Sequence, residues 1–184
     1  MMKILTRVIS IAIETLLLIS LLGCDHVEVD MEKDQEELEI LNNTYDIVVN
    51  AFQKKDIDAL YSVLSAEALA TDDLEVGFEY SCKFFTEEIL SVDLSYGYSG
   101  GTTEHGTNRA SGFRCVSATL TTVSGNSIDV WFEYWFNNDF SPNKIGVNRI
   151  KINYTDETFK DNYIGGSRYI RSGIYNPDWD NDNN

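Results

Sequence analysis

The sequence predicts an α+β domain with its helices first and its sheet second. Two observations predict it. Apolar residues recur at steps of three and four up to about residue 86, and the period then drops to two through Tyr154. No internal repeat interrupts this order, so a single layer of helices on a single antiparallel sheet is expected. The expected arrangement is three N-terminal helices packed on four strands.

Leu38, Leu41, Tyr45, Val48 and Phe52 mark the inward stripe of the first helix, which ends near Lys54-Lys55, where cations suit the negative helix terminus. Asp56 is placed to cap a second, short helix with Ile57, Leu60, Tyr61 and Leu64 inward. A third helix is expected from Thr71, with Asp72 and Glu75 at capping-box spacing and Leu74, Phe78, Ser81, Cys82 and Phe85 on its inner face. Ile89 to Tyr98 reads as the first strand, with Leu90, Val92, Leu94, Tyr96 and Tyr98 on one face. Residues 97–112, rich in Gly, Ser and Thr, read as a long loop or hairpin end. Phe113 to Val123, Ile128 to Phe136 and Lys144 to Tyr154 read as three further strands, joined by the turn Ser124-Gly125-Asn126-Ser127 and by a loop containing Pro142.

The N-terminus has a different character. Lys3 and Arg7 precede an apolar run from Val8 to Leu22, broken by Glu14, and the run closes on Leu21-Leu22-Gly23-Cys24. This is the layout of a secretory signal, and its ending is the bacterial lipobox pattern. At about fifteen residues the run falls short of the roughly 20 that cross a bilayer as a helix. The expectation is acyl attachment at the Cys24 thiol, cleavage before it, and a protein held on the extracytoplasmic side of the cell membrane by its acyl chains, palmitate among them. The organisation expected is a signal peptide over 1–23, an acidic tether over 24–37, a domain over 38–175 and a disordered acidic tail over 176–184. Asp178, Asp180 and Asp182 in that tail alternate like the start of a calcium loop but lack its glycine and closing glutamate.

The formal charge of the 184-residue chain is -16. Such a surface repels phosphate backbones and anionic headgroups, so nucleic acid is excluded as a partner and the acyl chains are left as the membrane attachment. With Cys24 assigned to lipid, Cys82 and Cys115 remain. They are candidates for a disulfide outside the cytoplasm or for two separate buried thiols. Two cysteines without nearby histidines make a poor zinc set, and no metal or cofactor is implied. His26 falls in the tether and His105 in the Gly/Thr loop, so neither is placed as a general base in a strand wall.

Strand parity puts Tyr96, Leu120, Val130, Phe132, Tyr134, Ile150, Ile152 and Tyr154 on the helix side of the sheet. Tyr96, Tyr134 and Tyr154 are the candidate cavity residues, whose hydroxyls would orient a ligand. The alternative is a filled core with hydroxyls at its rim. Asp93 and Glu133 fall on the opposite parity and are not expected as buried acids. Trp131 and Trp135 share that outer face and mark it as a candidate surface for a second copy, a protein partner or the chain's own tail. Arg168 and Arg171 are candidates to pair with its carboxylates.

The helix break Ala51-Phe52-Gln53-Lys54-Lys55-Asp56-Ile57-Asp58-Ala59-Leu60, the strand Asn143-Lys144-Ile145-Gly146-Val147-Asn148-Arg149-Ile150-Lys151-Ile152 and the terminal Gly173-Ile174-Tyr175 resemble small Firmicute lipoproteins of unknown function assigned to the NTF2-like fold. The resemblance implies a cone, in which a curved sheet wraps the long helix, and no established activity. Function is therefore expected in one of three classes: a binding module for a small ligand or protein, an enzyme using a tyrosine/carboxylate site in the cone, or an accessory, immunity-type surface protein without a pocket. We predict that Cys24→Ala abolishes acyl labelling and shifts the chain from the membrane fraction to the soluble fraction or to unprocessed precursor. Fractionation with metabolic acyl labelling checks this.

Overall fold

The computed structural model describes residues 31–155 and 171–175. The chain divides into two units, Met1–Gln35 and Glu36–Asn184, and only the last five residues of the first are described. The expected signal peptide, Cys24, His26, most of the tether, Arg168 and the acidic tail therefore lie outside the described residues. The elements in order are α1 (Met31–Lys54), α2 (Ile57–Tyr61), α3 (Ala66–Leu69), α4 (Leu74–Cys82), β1 (Ile89–Thr103), β2 (Ala110–Thr122), β3 (Ser127–Asn138), a 3₁₀ turn (Pro142–Lys144), β4 (Gly146–Tyr154) and β5 (Gly173–Ile174). The protein is a mixed α+β structure whose sheet has the order β1-β2-β3-β4-β5.

The core lies between the helices and one face of the sheet. Val116, Ala118 and Leu120 of β2, Ile128, Val130 and Phe132 of β3, and Val147, Ile150 and Ile152 of β4 are all buried there. They meet Leu41, Val48 and Phe52 of α1 and Leu74, Phe78 and Cys82 of α4. The Phe52 ring stacks between Phe78 and Phe85, at centroid distances of 5.2 and 5.8 Å. All of these side chains but Val147 follow the period expected from the sequence; Val147 joins the inner face because the β3–β4 register shifts between Glu133 and Tyr134.

Several elements differ from the expectation. Asp73, not Thr71 or Asp72, precedes α4, and it makes no side-chain capping bond. An additional turn, α3, forms because Ser65 caps it, its hydroxyl accepting from the Ala68 amide at 3.1 Å. Of the two expectations for 97–112, a long loop or a hairpin end, the structure shows the hairpin end, and most of the stretch is strand. β1 and β2 run on to Thr103 and from Ala110, leaving a short turn that carries the exposed His105. Glycine is what this extension requires at one point, since a Cβ on Gly101 would overlap the Ser111 carbonyl. Lys144 belongs to the 3₁₀ turn and not to β4.

The sheet also has a fifth strand beyond the four expected. β5 pairs parallel to β4, with Arg149 opposite Gly173 and Ile150 opposite Ile174. Ile174 is fully buried. Gly77 of α4 admits it, because a Cβ at Gly77 would collide with the Ile174 carbonyl. Two polar links hold the same segment. Arg171 pairs with Asp73 at 3.0 Å, and the Ser172 hydroxyl donates to Glu67. Arg171 was a candidate partner for outer-face carboxylates; it instead joins the N-terminus of α4. We predict that Ile174→Ala lowers unfolding free energy by about 2–5 kcal/mol, the range for deleting a buried branched side chain. Gly77→Ala should destabilise as well, because it displaces the same strand. Urea unfolding of both variants tests this.

Candidate functional site

Three places gather polar or reactive groups: the inner-face tyrosines, the outer face of β3 and β4, and a groove at the end of α1. The tyrosines do not converge. Tyr96 lies on the helix side as expected, but β1 is an edge strand and the residue is 36 % exposed. Its hydroxyl donates to Asn42 Oδ1 of α1. Tyr134 is half-buried with its ring 4.9 Å from Phe136, and burial raises its pKa. Tyr154 sits at the other end of the sheet, opposite Ile128, with its ring 5.0 Å from Phe84. Tyr45, expected only as part of the inward stripe of α1, has a buried hydroxyl with no hydrogen-bond partner, and its pKa is pushed up to about 12 by burial and then by Asp46. Beside Tyr134, Arg114 Nε donates to Glu37 Oε2 at 2.9 Å.

The outer face holds a compact polar cluster. Glu133 is 5 % exposed, although its parity argued against a buried acid. Its neighbours explain the difference. Trp135 Nε1 donates to Glu133 Oε1 at 2.6 Å, and Arg149 Nη1 lies 3.8 Å from Oε2. The Trp135 ring packs on Phe113 at 4.7 Å, with the Lys144 ammonium 6.0 Å from its centroid. Trp131, also half-buried, stands between Ser117 and Lys151, and the Lys151 ammonium lies 4.7 Å from the Tyr175 ring. Asp93 is exposed on the same face.

Cys115 is opposite Glu133 in this cluster, whereas Cys82 belongs to the core cluster on the helix side. Both are free and buried. The sheet therefore separates them, which corrects the disulfide considered from the sequence. Burial, with the Glu133 carboxylate nearby, pushes the Cys115 thiol up to about 12. It behaves as a small apolar residue and not as a nucleophile.

The groove is a cavity bordered by the end of α1, α2 and α4. Its volume is about 690 Å³ and its lining is Lys55, Ile57, Glu75, Phe78, Glu79, Cys82, Lys83 and Thr86. Its position follows from how α1 ends. The Asp56 amide donates to the Ala51 carbonyl at 2.9 Å and the Lys55 amide to the Phe52 carbonyl at 3.4 Å. This pair of bonds is a Schellman closure, which needs a left-handed residue at its turn. That residue is Lys55, with φ of 56°, the only non-glycine residue at positive φ among the described residues. Asp56 then caps α2 through Ala59, at 3.0 Å. Cys82 and Phe78 also line it and are buried, and burial raises the Cys82 pKa while Lys55 opposes the rise. The sequence marked the helix break but not the groove, which α4 completes from 20 residues further on.

The chain thus presents a mixed α+β domain with a charged groove and an apolar interior. It belongs to a family defined by a domain of unknown function (DUF5104), which matches residues 47–161. No curated protein matches it.

One consequence of Cys115 is measurable. Its pKa lies above the value of about 9 that an unburied thiol would have, so the folded state holds the proton more tightly than the unfolded state. Its contribution to stability is complete below pH 9 and is lost as pH rises from there towards 12. We predict that unfolding free energy declines over that interval and that Cys115→Ala makes the onset of the decline shallower. The slope that remains reflects Cys82, Tyr45 and Tyr134, whose pKa values are raised in the same sense.

Proposed function

We propose that the protein is a lipoprotein held at Cys24 on the extracytoplasmic side of the cell membrane, where an NTF2-like cone serves as a binding module for a small ligand. The lipobox pattern supports the location. The helix-first order, with α1 covering the inner face of a bulged antiparallel sheet, supports the cone.

Lys55 carries the assignment of the groove. A left-handed conformation costs an ordinary L-residue roughly 1–2 kcal/mol, and the usual occupant of this position is glycine. Here a long cation stands there instead, in the lining of a cavity whose size falls in the roughly 300–1,000 Å³ range of ligand sites. A strained residue bordering a cavity is the pattern in which stability is exchanged for recognition. The lining carries two cations, Lys55 and Lys83, and two carboxylates, Glu75 and Glu79, beside the apolar Ile57 and Phe78. In a protein of charge -16, this balanced lining suits a ligand with an apolar body and a zwitterionic or hydrogen-bonding head.

Lys55→Gly separates the two roles of the residue. It should stabilise the fold by roughly 0.5–1 kcal/mol, the left-handed cost less the added flexibility of glycine. It should also weaken ligand binding. Thermal-shift screening of free amino acids, short peptides and small amphiphiles, with mass spectrometry of whatever co-purifies, identifies the ligand. Lys55→Gly and Glu79→Ala should then each lose the shift. A ligand whose binding neither variant alters would place the site elsewhere.

A further inference from the structure

Among the described residues β1 is an edge of the sheet, hydrogen-bonded to β2 on one side and to no strand on the other. It spans 15 residues, and all of Leu90 to Gly97 except the half-buried Leu94 are exposed. Edges of this length are ordinarily blunted by lysine, proline or a charge turned inward. β1 has no lysine and no proline, and its one charged side chain is Asp93. Its helix-side face carries an apolar strip, with Leu90 65 % and Val92 49 % exposed beside Tyr96. A free backbone edge with an apolar strip beneath it calls for an extended strand that brings an apolar strip of its own.

We infer that the occupant is β1 of a second copy, paired antiparallel across a two-fold axis to give one continuous sheet. Charge favours this choice. Two copies that each carry -16 can approach closely only where charge is sparse, and β1 is sparse in a chain with 24 % charged residues. Register favours it as well. The strand runs regularly from Ser91 to Tyr96, between irregularities at Ile89/Ser91 and Tyr96/Ser99. A two-fold axis perpendicular to the sheet pairs residues of like face. Centred on Asp93, it would set two carboxylates directly opposite each other, which is unfavourable. Centred on Leu94, it pairs Leu94 with itself, Val92 with Tyr96, and Asp93 with Ser95, so that apolar meets apolar and the carboxylate meets a hydroxyl. This inference is independent of the groove, which α1, α2 and α4 form on other elements.

The test uses the full-length chain carrying Cys24→Ala, in non-denaturing detergent. Sedimentation velocity should give a dimer, and Val92→Lys should raise its dissociation constant at least tenfold while circular dichroism stays unchanged. A second arm does not depend on that variant. Directly opposed residues place their Cβ atoms within disulfide reach. Asp93→Cys and Ser95→Cys should therefore cross-link on mild oxidation when mixed, and neither should do so alone, because Cys82 and Cys115 are buried. A chain that is monomeric at every loading, a dimer indifferent to Val92→Lys, or cross-linking no greater in the mixture than in the single variants would each overturn the inference.

Discussion

The structure depends on one requirement: the inner face of β2, β3 and β4 must be kept from water. Alternation along these strands directs Val116, Ala118, Leu120, Ile128, Val130, Phe132, Ile150 and Ile152 to the same side. No hydrogen bond of the sheet can satisfy that surface, so helices must cover it. α1 supplies most of the cover with its stripe from Leu41 to Phe52, and α4 closes the remainder. The groove lies where the Schellman turn leads from α1 into α2 beside α4. The exposed strip on β1 is where the cover stops.

A second constraint joins the helical half to the sheet. Val147 donates to the Val63 carbonyl at 2.9 Å and accepts from the Ser65 amide at 2.8 Å, so the link between α2 and α3 runs as a short parallel bridge along β4. The Ser65 hydroxyl donates to Asn148 Oδ1 at 2.9 Å in the fully buried interior. Asn148 is available for this because the β3–β4 register shifts between Glu133 and Tyr134 and leaves it without a partner across the ladder. Gly146 is needed too. Its φ is 104°, and a Cβ would stand 3.0 Å from the Val63 carbonyl. The stretch from Gly146 to Asn148 is thus a joint between two layers as well as the start of a strand.

Much of the fold was legible because periodicity reports burial. The stripe of α1 and the inner face of β2 to β4 were read from the sequence alone. What was not legible required contacts distant in the chain. β5 is two residues long, and its Ile174 becomes core only because Gly77, nearly 100 residues earlier, leaves room for it. α3 could not be separated from its loop without knowing that Ser65 would be fixed by Asn148. Residues 97–103 carry a loop-like composition yet extend β1, since pairing with β2 outweighs weak strand propensity. The parity of Glu133 was read correctly, but its burial was missed. The sequence does not show that Trp135 and Arg149 would close over the carboxylate. The tyrosines shared a face as expected and yet form no common site, because a strand's period fixes direction and not distance along the sheet.

The position of Ile174 has a consequence for how the molecule is made. A chain emerges N-terminus first, and α4 with β1 to β4 can assemble before residues 171–175 are free. Until those residues arrive, the notch at Gly77 and the outer edge of β4 remain open, with Ile150 and Phe78 beneath them. Among the described residues, the last core side chain to be delivered is therefore the one on the sheet's terminal strand. A chain cut short by a dozen or so residues would keep nearly all of its secondary structure and still expose a raw edge, and such a product is suited to recognition by quality-control proteases.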